Sequence, residues 1–329
     1  EGIDINRPEI YYGEKTRDHV YVNTEEEEID YGAGDTNQYT TYEGSGGVSF
    51  KNVFRRFAYA WRYDAHRQLF SGYITNETRI LFNRELRIRA HTLAPFLRFS
   101  EDPYAVITDD GRIKFILDAY MVSNKYPYSE LYTGSMNTFQ GLNYIRNSVK
   151  VVIDAYDGSV TFYAVDPDDI LLKTYQNIFP DLFTPMEEMP EDIQRHIRYP
   201  ADYLTIQAEM YRTYHMTDVN AFYQREDVWE FAMEKYRDGF YHVQPYYVMV
   251  QLPEQDKTEF VVMLPFTPKN KNVMNAWIAG RCDMPHYGKI ISFPFPKGVE
   301  MLGPKQIEAR IDQDAEMSRA LSLWSQRGS

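Results

Sequence analysis

Residues 143–169 carry the clearest local structural pattern in the chain. Residues 149–156 form a strand-like apolar run, and residues 159–165 alternate apolar side chains with Thr and Tyr. Between the two runs lies Asp157-Gly158, a dipeptide that supplies two positive-φ positions for a type I′ turn. The stretch therefore predicts a β-hairpin at the centre of the chain.

The first strand of this hairpin has a near copy earlier in the sequence. IKFILDAY (residues 113–120) and VKVVIDAY (residues 149–156) share Lys, Asp, Ala and Tyr at matching positions, and the remaining positions are apolar in both. Alternate residues of a strand share a face, so each copy has one apolar face and one face that carries Lys, Asp and Tyr. We expect two strands of comparable length with the apolar faces buried and the polar faces outward.

The polar faces supply the candidate catalytic residues, Asp118 with Tyr120 and Asp154 with Tyr156. Two carboxylates in one groove serve general acid–base catalysis or cation binding, and parallel copies would bring them together. Each lysine lies about 13 Å from the aspartate of its own strand at roughly 3.3 Å per residue, so it reaches only the other copy's aspartate in an antiparallel pair. We favour the antiparallel order, in which the Lys–Asp pairs are structural.

Asp166, Asp168 and Asp169 form a second carboxylate group after the hairpin. Oxygen ligands at this density suit a hard divalent cation, although an aspartate at this point also caps a helix, and we favour Asp168 as that cap. The chain contains no CxxC, HExxH, GxSxG, GxGxxG or Walker motif. No cofactor is therefore evident, and a divalent cation is the ligand left open.

Charge is unevenly distributed along the chain, whose formal net charge is −13. Ten basic and three acidic residues fall within residues 51–98, and the remainder is strongly acidic. An acidic body argues against a nucleic-acid partner. The basic segment predicts two helices, at about 49–69 and 77–94. Most of its arginines should pair with acids of the domain, and a minority should face an anionic surface such as lipid headgroups.

Hairpins and helix runs alternate in blocks, which predicts an α+β fold with an antiparallel or mixed sheet and helices packed against it. The aperiodic loop 123–141 indicates a boundary between two lobes. We predict an N-terminal lobe (1–128), a linker loop (129–142) and a C-terminal lobe (143–329). Further predicted helices are 168–179, 185–199, 201–215, 218–236, 272–281 and 305–324, and further predicted strands are 246–252, 259–264 and 289–295.

Several long phrases resemble uncharacterised protein family UPF0182, namely NRPEIYYGE, YTTYEGSGG, YIRNSVKVVIDAYDGSVTFY, IFPDLF, YHMTD, FVVMLPFTP and QIEARIDQD. The resemblance runs over residues 6–329. Members of that family are multi-pass bacterial membrane proteins with a large soluble region, and this chain resembles that region. The resemblance implies an extracytoplasmic position at the cell membrane and a partner in the protein's own transmembrane part. It implies no activity and no catalytic residues.

Two functions are consistent with the sequence. The first is a binding domain for a cell-envelope polymer or a partner protein, a role that 28 tyrosines suit because their rings stack and hydrogen-bond. The alternative is a carboxylate-dependent, cation-assisted enzyme acting on an envelope substrate. Convergence of Asp118 and Asp154 in a pocket would favour the enzyme, and their separation would favour binding.

Overall fold

The computed structural model describes residues 4–33, 36–65, 67, 71–236, 239–253, 255–296 and 298–327. It confirms the α+β class, with helices and mostly antiparallel sheets. The chain folds into two compact units, unit 1 (Glu1–Ser129 and Leu142–His196) and unit 2 (Glu130–Gly141 and Ile197–Ser329). The predicted division into two lobes joined by a linker at residues 129–142 stays a prediction. The central hairpin belongs to unit 1.

Unit 1 contains a six-stranded main sheet, in which two strands have 11 residues each, together with smaller sheets. Its strands are β1 (Val20–Val22), β2 (Glu28–Ala33), β3 (Thr36–Thr40), β4 (Val48–Ser49), β5 (Arg79–Leu81), β6 (Arg98–Phe99), β7 (Tyr104–Ile107), β8 (Ile113–Ser123), β9 (Tyr144–Asp154), β10 (Val160–Ala164) and β11 (Phe183–Pro185). Its helices are α1 (Val53–Arg62), α2 (Leu86–Leu93), α3 (Ile170–Ile178) and α4 (Glu191–Gln194). The main sheet has the order β11-β10-β9-β8-β6, and β7 also pairs with β8.

The near-repeats are the two central strands of this sheet, which confirms the strand prediction. β8 and β9 have 11 residues each and pair antiparallel. Phe115, Leu117, Val151 and Ile153 are buried in one core cluster that includes residues of α2 and α3. The apolar face of both copies therefore forms the main core of unit 1.

The polar face is buried too, and here the expectation of an outward face was wrong. Lys150 is 0 % exposed and Asp118 is 4 % exposed. A sheet covered on both faces can keep charged residues only as internal pairs.

The connection between β9 and β10 is longer than predicted and is not a type I′ turn. β9 ends at Asp154, Gly158 has φ +68°, and Asp157 is not at positive φ. The backbone N–H groups of Tyr11 and Tyr12 both donate to the carbonyl of Ala155. The N-terminal segment 4–14, which we call the N-terminal arm, is thus docked on the residue that follows the end of β9.

Within the described residues of the basic segment there are two helices, as predicted, but both are short. Residues 66, 68 and 69, at the end of the first predicted helix, lie outside the described residues. Asn52, rather than Ser49, caps α1 by accepting from the N–H of Phe54. Glu85 caps α2 by accepting from the N–H of Ile88. The start of the predicted second helix is instead strand β5, which lies between β1 and β4 in a three-stranded sheet.

Unit 2 has a sheet in the order β12-β16-β18-β19, with β15 also on β16. Its strands are β12 (Trp229–Phe231), β13 (Met233–Tyr236), β14 (Gly239–His242), β15 (Tyr246–Gln251), β16 (Thr258–Pro268), β17 (Val273–Met274), β18 (Ala276–Arg281), β19 (Ile290–Pro294) and β20 (Met301–Leu302). Its helices are α5 (Ala201–Tyr214), α6 (Val219–Gln224), α7 (Pro304–Gln313) and α8 (Ala315–Arg327).

Two predicted helices of unit 2 were wrong. The helix at 218–236 stops at α6, because Arg225 adopts the left-handed conformation (φ +54°), and the chain then forms β12 and β13. The helix at 272–281 is strands β17 and β18. β18 is paired on both sides and mostly buried, and a short apolar run of this kind has no period that separates strand from helix.

Candidate functional site

Asp118 lies opposite Lys150 on the antiparallel pair β8–β9, so the antiparallel prediction is confirmed. The ammonium group of Lys150 donates to Asp118 Oδ1. Asn147 Nδ2 donates to the same oxygen at 3.1 Å. The Asp118 carboxylate is therefore neutralised inside the sheet, where neither solvent nor a substrate reaches it.

Asp154 lies opposite Lys114 in register, but its carboxylate binds elsewhere. Arg112 approaches it at 3.2 Å and approaches Asp157 at 2.8 Å. The backbone N–H groups of Tyr156 and Asp157 both donate to Asp154 Oδ1 at 2.9 Å. Asp154 thus organises the β9–β10 connection, and the expected Lys114–Asp154 pair does not form.

The two aspartates do not converge on a groove. They are four residues apart in register, about 13 Å at roughly 3.3 Å per residue. Tyr120 is fully buried, while Tyr156 lies in a tyrosine cluster described below. A catalytic role for these four residues stays a prediction, and the separation favours the binding hypothesis.

The second carboxylate group is also dispersed. Asp169, not Asp168, caps α3, and it accepts from Tyr144 and from Ser148 as well. Asp166 forms an ion pair with Arg146 at 2.6 Å, and the exposed Asp168 lies 3.8 Å from Lys173. Across the described residues, no three His, Cys, Asp or Glu side chains come close enough to hold a metal ion.

Four tyrosines gather where the N-terminal arm crosses unit 1, namely Tyr11, Tyr12, Tyr42 and Tyr156. The Tyr11 ring meets Tyr42 edge-on at 4.7 Å between ring centroids and meets Tyr156 at 5.3 Å. Tyr42 and Tyr156 stack at 5.1 Å. This cluster links the candidate Tyr156 to the arm, which the sequence did not associate with it.

On the solvent side of the cluster lies a cleft of about 310 Å³ in unit 1. The arm, β1, β2, β3 and the residue before the α2 cap form its walls. Its lining residues are Glu9, Ile10, Tyr11, Val20, Tyr21, Val22, Glu28, Ile29, Thr40 and Arg84. We call it the arm cleft.

Most polar groups of the arm cleft are held by the protein itself. The Tyr11 hydroxyl donates to Glu28 at 2.7 Å, and the backbone N–H of Asn23 donates to the other Glu28 oxygen at 2.8 Å. Burial raises the pKa of Tyr11, and the hydrogen bond to Glu28 raises it further, so the phenol stays protonated. Arg84 donates to the carbonyls of Tyr11 and Asp18.

Tyr21 and Glu9 are exceptions. The Tyr21 hydroxyl is shielded from solvent and has no hydrogen-bond partner among the described residues. Glu9 is held through one oxygen. Its Oε1 accepts from Thr40 Oγ1 at 3.2 Å. Its Oε2 is shielded from solvent and has no hydrogen-bond partner within the part of the chain that the structure describes. A shielded carboxylate oxygen without a donor is costly, so the position is suited to a donor brought by a ligand.

The sequence did not indicate Glu9 as a functional residue, although one signal was present. In an extended segment residues 9 and 11 share a face, so Glu9 and Tyr11 lie on one side of the arm and Tyr12 on the other. Tyr12 is buried and Tyr11 lines the cleft. The contacts from the arm to Glu28, Thr40 and Arg84 join distant parts of the chain, and no local pattern predicts them.

Unit 2 has a smaller cavity of about 260 Å³ between α5 and β12. Glu209 lines it and accepts from the Tyr132 hydroxyl and from the N–H of Ser135. Burial, followed by the hydrogen bond to Glu209, raises the pKa of Tyr132 to about 12. Arg212 stacks over Phe231 at 5.3 Å and donates to the carbonyl of Trp229. The contacts of Glu209 hold the segment 130–141 on α5, and those of Arg212 hold α5 on β12.

Among the described helices, none combines the length and apolar character that a membrane span requires. No solved structure matches the chain. Proteins named UPF0182 from Sulfurovum sp., Desulforamulus reducens and Trichodesmium erythraeum are 48 %, 48 % and 44 % identical to it over 99 % of its length. The chain covers 36 %, 34 % and 37 % of those proteins, about a third of each. The model of the uncharacterised protein family UPF0182 matches residues 1–324, and the chain belongs to that family.

Proposed function

We propose that this chain is a binding domain that takes a hydroxyl-rich polymer of the cell envelope in the arm cleft. The cleft combines two tyrosines, Tyr11 and Tyr21, with carboxylates and apolar walls. This composition suits a sugar, whose hydroxyls donate to carboxylates and whose ring face packs on aromatic rings. Its volume of about 310 Å³ fits a short segment of such a polymer and is small for a large cofactor.

The observation that carries this proposal is the partnerless Oε2 of Glu9. Glu28 on the opposite wall has donors on both oxygens, so its role is to fix the Tyr11 ring. Glu9 is held through one oxygen and keeps the other for a ligand donor. A hydroxyl or an amide N–H placed there would supply the missing hydrogen bond.

The enzymatic alternative has less support. A general acid or base must lie within hydrogen-bond reach of its substrate. Asp118 is buried against Lys150, and Asp154 holds a loop. Neither side chain lines the arm cleft.

Glu9→Gln tests the proposal by exchanging the free acceptor for an amide of the same shape. We expect soluble oligosaccharides of neutral and N-acetylated sugars to bind the purified chain in titration calorimetry, and the variant to bind about tenfold more weakly. Glu14→Gln is the matched control, since Glu14 is exposed on the same arm outside the cleft. Binding that both variants retain, or no binding by the unmodified chain, contradicts the proposal.

We also propose that the domain lies outside the cytoplasm beside a membrane. Two facts support this position: the family resemblance, and the relatives' length, which leaves about two thirds of each for other segments. Protease treatment of intact spheroplasts that express the whole protein tests it. Fragments from this domain are expected before lysis, and complete protection until lysis would overturn this placement.

A further inference from the structure

Helix α1 has an apolar stripe that points to solvent instead of to the core. Phe54 is 81 % exposed, Phe57 is 56 % exposed and Trp61 is 75 % exposed. Their spacing of three and four residues places them on one face of the helix. Nothing in the described chain covers that face.

The opposite face of α1 anchors the helix. Ala60 is fully buried, and the Tyr59 ring lies 6.0 Å from Phe50 between ring centroids. Arg56 Nη2 donates to the carbonyl of Thr75 at 3.2 Å. Helix α1 therefore packs on unit 1 through one face and exposes the aromatic stripe on the other.

Arginines border the stripe. At about 100° per residue, Arg55 and Arg62 both project beside the row formed by Phe54 and Trp61. Neither arginine forms an ion pair with the described residues, and the Arg62 guanidinium lies over the Tyr63 ring at 5.6 Å. Four other arginines of the basic segment donate to backbone carbonyls, which corrects the expectation that most would pair with acids.

We propose that α1 adsorbs to an anionic lipid surface, with its aromatic stripe in the headgroup region and its two bordering arginines on lipid phosphates. Aromatic side chains beside cationic ones are the composition of helices that lie in a membrane interface. The chain has a net charge of −13, so attraction to an anionic surface requires a local cationic face of this kind. This inference is independent of the arm cleft.

A second copy of the chain fits the stripe less well. Face-to-face pairing of two α1 helices would bring equivalent arginines of both copies close together, because both copies contribute the same surface to a two-fold interface. Like charges oppose that approach. A lipid surface presents the opposite charge and adapts to a convex helix, so charge complementarity favours lipid.

The purified chain is mixed with vesicles of phosphatidylglycerol and phosphatidylcholine, and with vesicles of phosphatidylcholine alone, and then sedimented. We expect binding to the anionic vesicles at low salt and its loss at high salt, since exposed charges are screened beyond about 10 Å at roughly 0.1 M. Phe54→Ser with Trp61→Ser should weaken binding about tenfold or more. Arg55→Gln with Arg62→Gln should weaken binding to anionic vesicles and leave any residual binding insensitive to salt.

The matched control is Trp324→Ser on α8, where the tryptophan is 69 % exposed. Its vesicle binding should equal that of the unmodified chain, and all variants should keep the unmodified thermal unfolding curve because the changed residues are exposed. Three outcomes would overturn the proposal: no vesicle binding at low salt, an equal loss in the α8 variant, or a dimer in sedimentation equilibrium that the α1 variants dissociate.

Discussion

At the scale of single residues, several charged groups of the molecule hold buried backbone and side chains. Lys150 and Asp118 neutralise each other within the sheet, and Asp169 caps α3 from a fully buried position. The sequence predicted the first pair correctly once the strands were taken as antiparallel. It missed Arg112 as the partner of Asp154, because Arg112 lies outside the repeated pattern.

Asp118→Asn should strongly destabilise unit 1. The variant leaves the ammonium group of Lys150, which is 0 % exposed, without its carboxylate, and such a loss costs about 3–5 kcal/mol. Asp118→Leu combined with Lys150→Met should cost much less, since no buried charge remains. Urea unfolding measures both.

Asp168→Asn is the control for this cycle, because Asp168 is exposed and its partner Lys173 is 3.8 Å away. Its free energy of unfolding should change by less than about 1 kcal/mol. If Asp118→Asn proves equally mild, the buried pair does not stabilise the sheet as its burial indicates.

At the scale of elements, the sequence predicts the strands whose apolar residues alternate with a short period. It misses the strand ends and the cleft, because these depend on contacts between residues that are distant in the chain. β8 and β9 follow the alternation of their apolar residues. The end of β9 depends on the arm, whose N–H groups occupy the carbonyl of Ala155. The arm cleft itself could not be predicted, since Glu9, Thr40 and Arg84 meet only in the folded chain.

Gly158→Ala should destabilise the β9–β10 connection by more than backbone strain alone. Gly158 has φ +68°, and an added Cβ would lie 2.5 Å from the Tyr12 ring. The matched control is Gly141→Ala, where φ is +75° and nothing lies within 4 Å of the added Cβ. We expect about 1–2 kcal/mol for the control, from the left-handed conformation, and a clearly larger loss for Gly158→Ala. Equal losses in thermal or urea unfolding would mean that the Tyr12 ring moves aside freely.

At the scale of the whole molecule, buried tyrosine hydroxyls make the free energy of unfolding fall as the pH rises into the alkaline range. Burial, with hydrogen bonds to carboxylates, raises the pKa of Tyr11, Tyr132 and Tyr144, and burial raises that of Tyr42 and Tyr199. A raised pKa means that the folded state keeps its protons longer than the unfolded state. The resulting stabilisation is complete below the ordinary tyrosine value of 10.0 and is lost as pH rises through about 12 for Tyr132.

We therefore expect the urea midpoint to fall steadily above pH 10.0, with part of the tyrosinate absorbance appearing only on unfolding. Tyr39, which is 54 % exposed, provides a comparison: Tyr39→Phe should leave the slope of stability against pH unchanged. Tyr132→Phe should reduce that slope. A midpoint that stays constant across this range would show that the phenols titrate alike in both states.

The docking of the N-terminal arm on Ala155 has a consequence for the order of folding. Tyr11 and Tyr12 precede Ala155 by a large part of unit 1, so we expect their backbone bonds to close after the shorter-range pairing of β8 with β9. Closing so long an intervening loop costs more entropy, so we expect this contact to form late. The N-terminal arm is then expected to dock on unit 1 last. Because its residues line the arm cleft, the cleft exists only while the arm is docked.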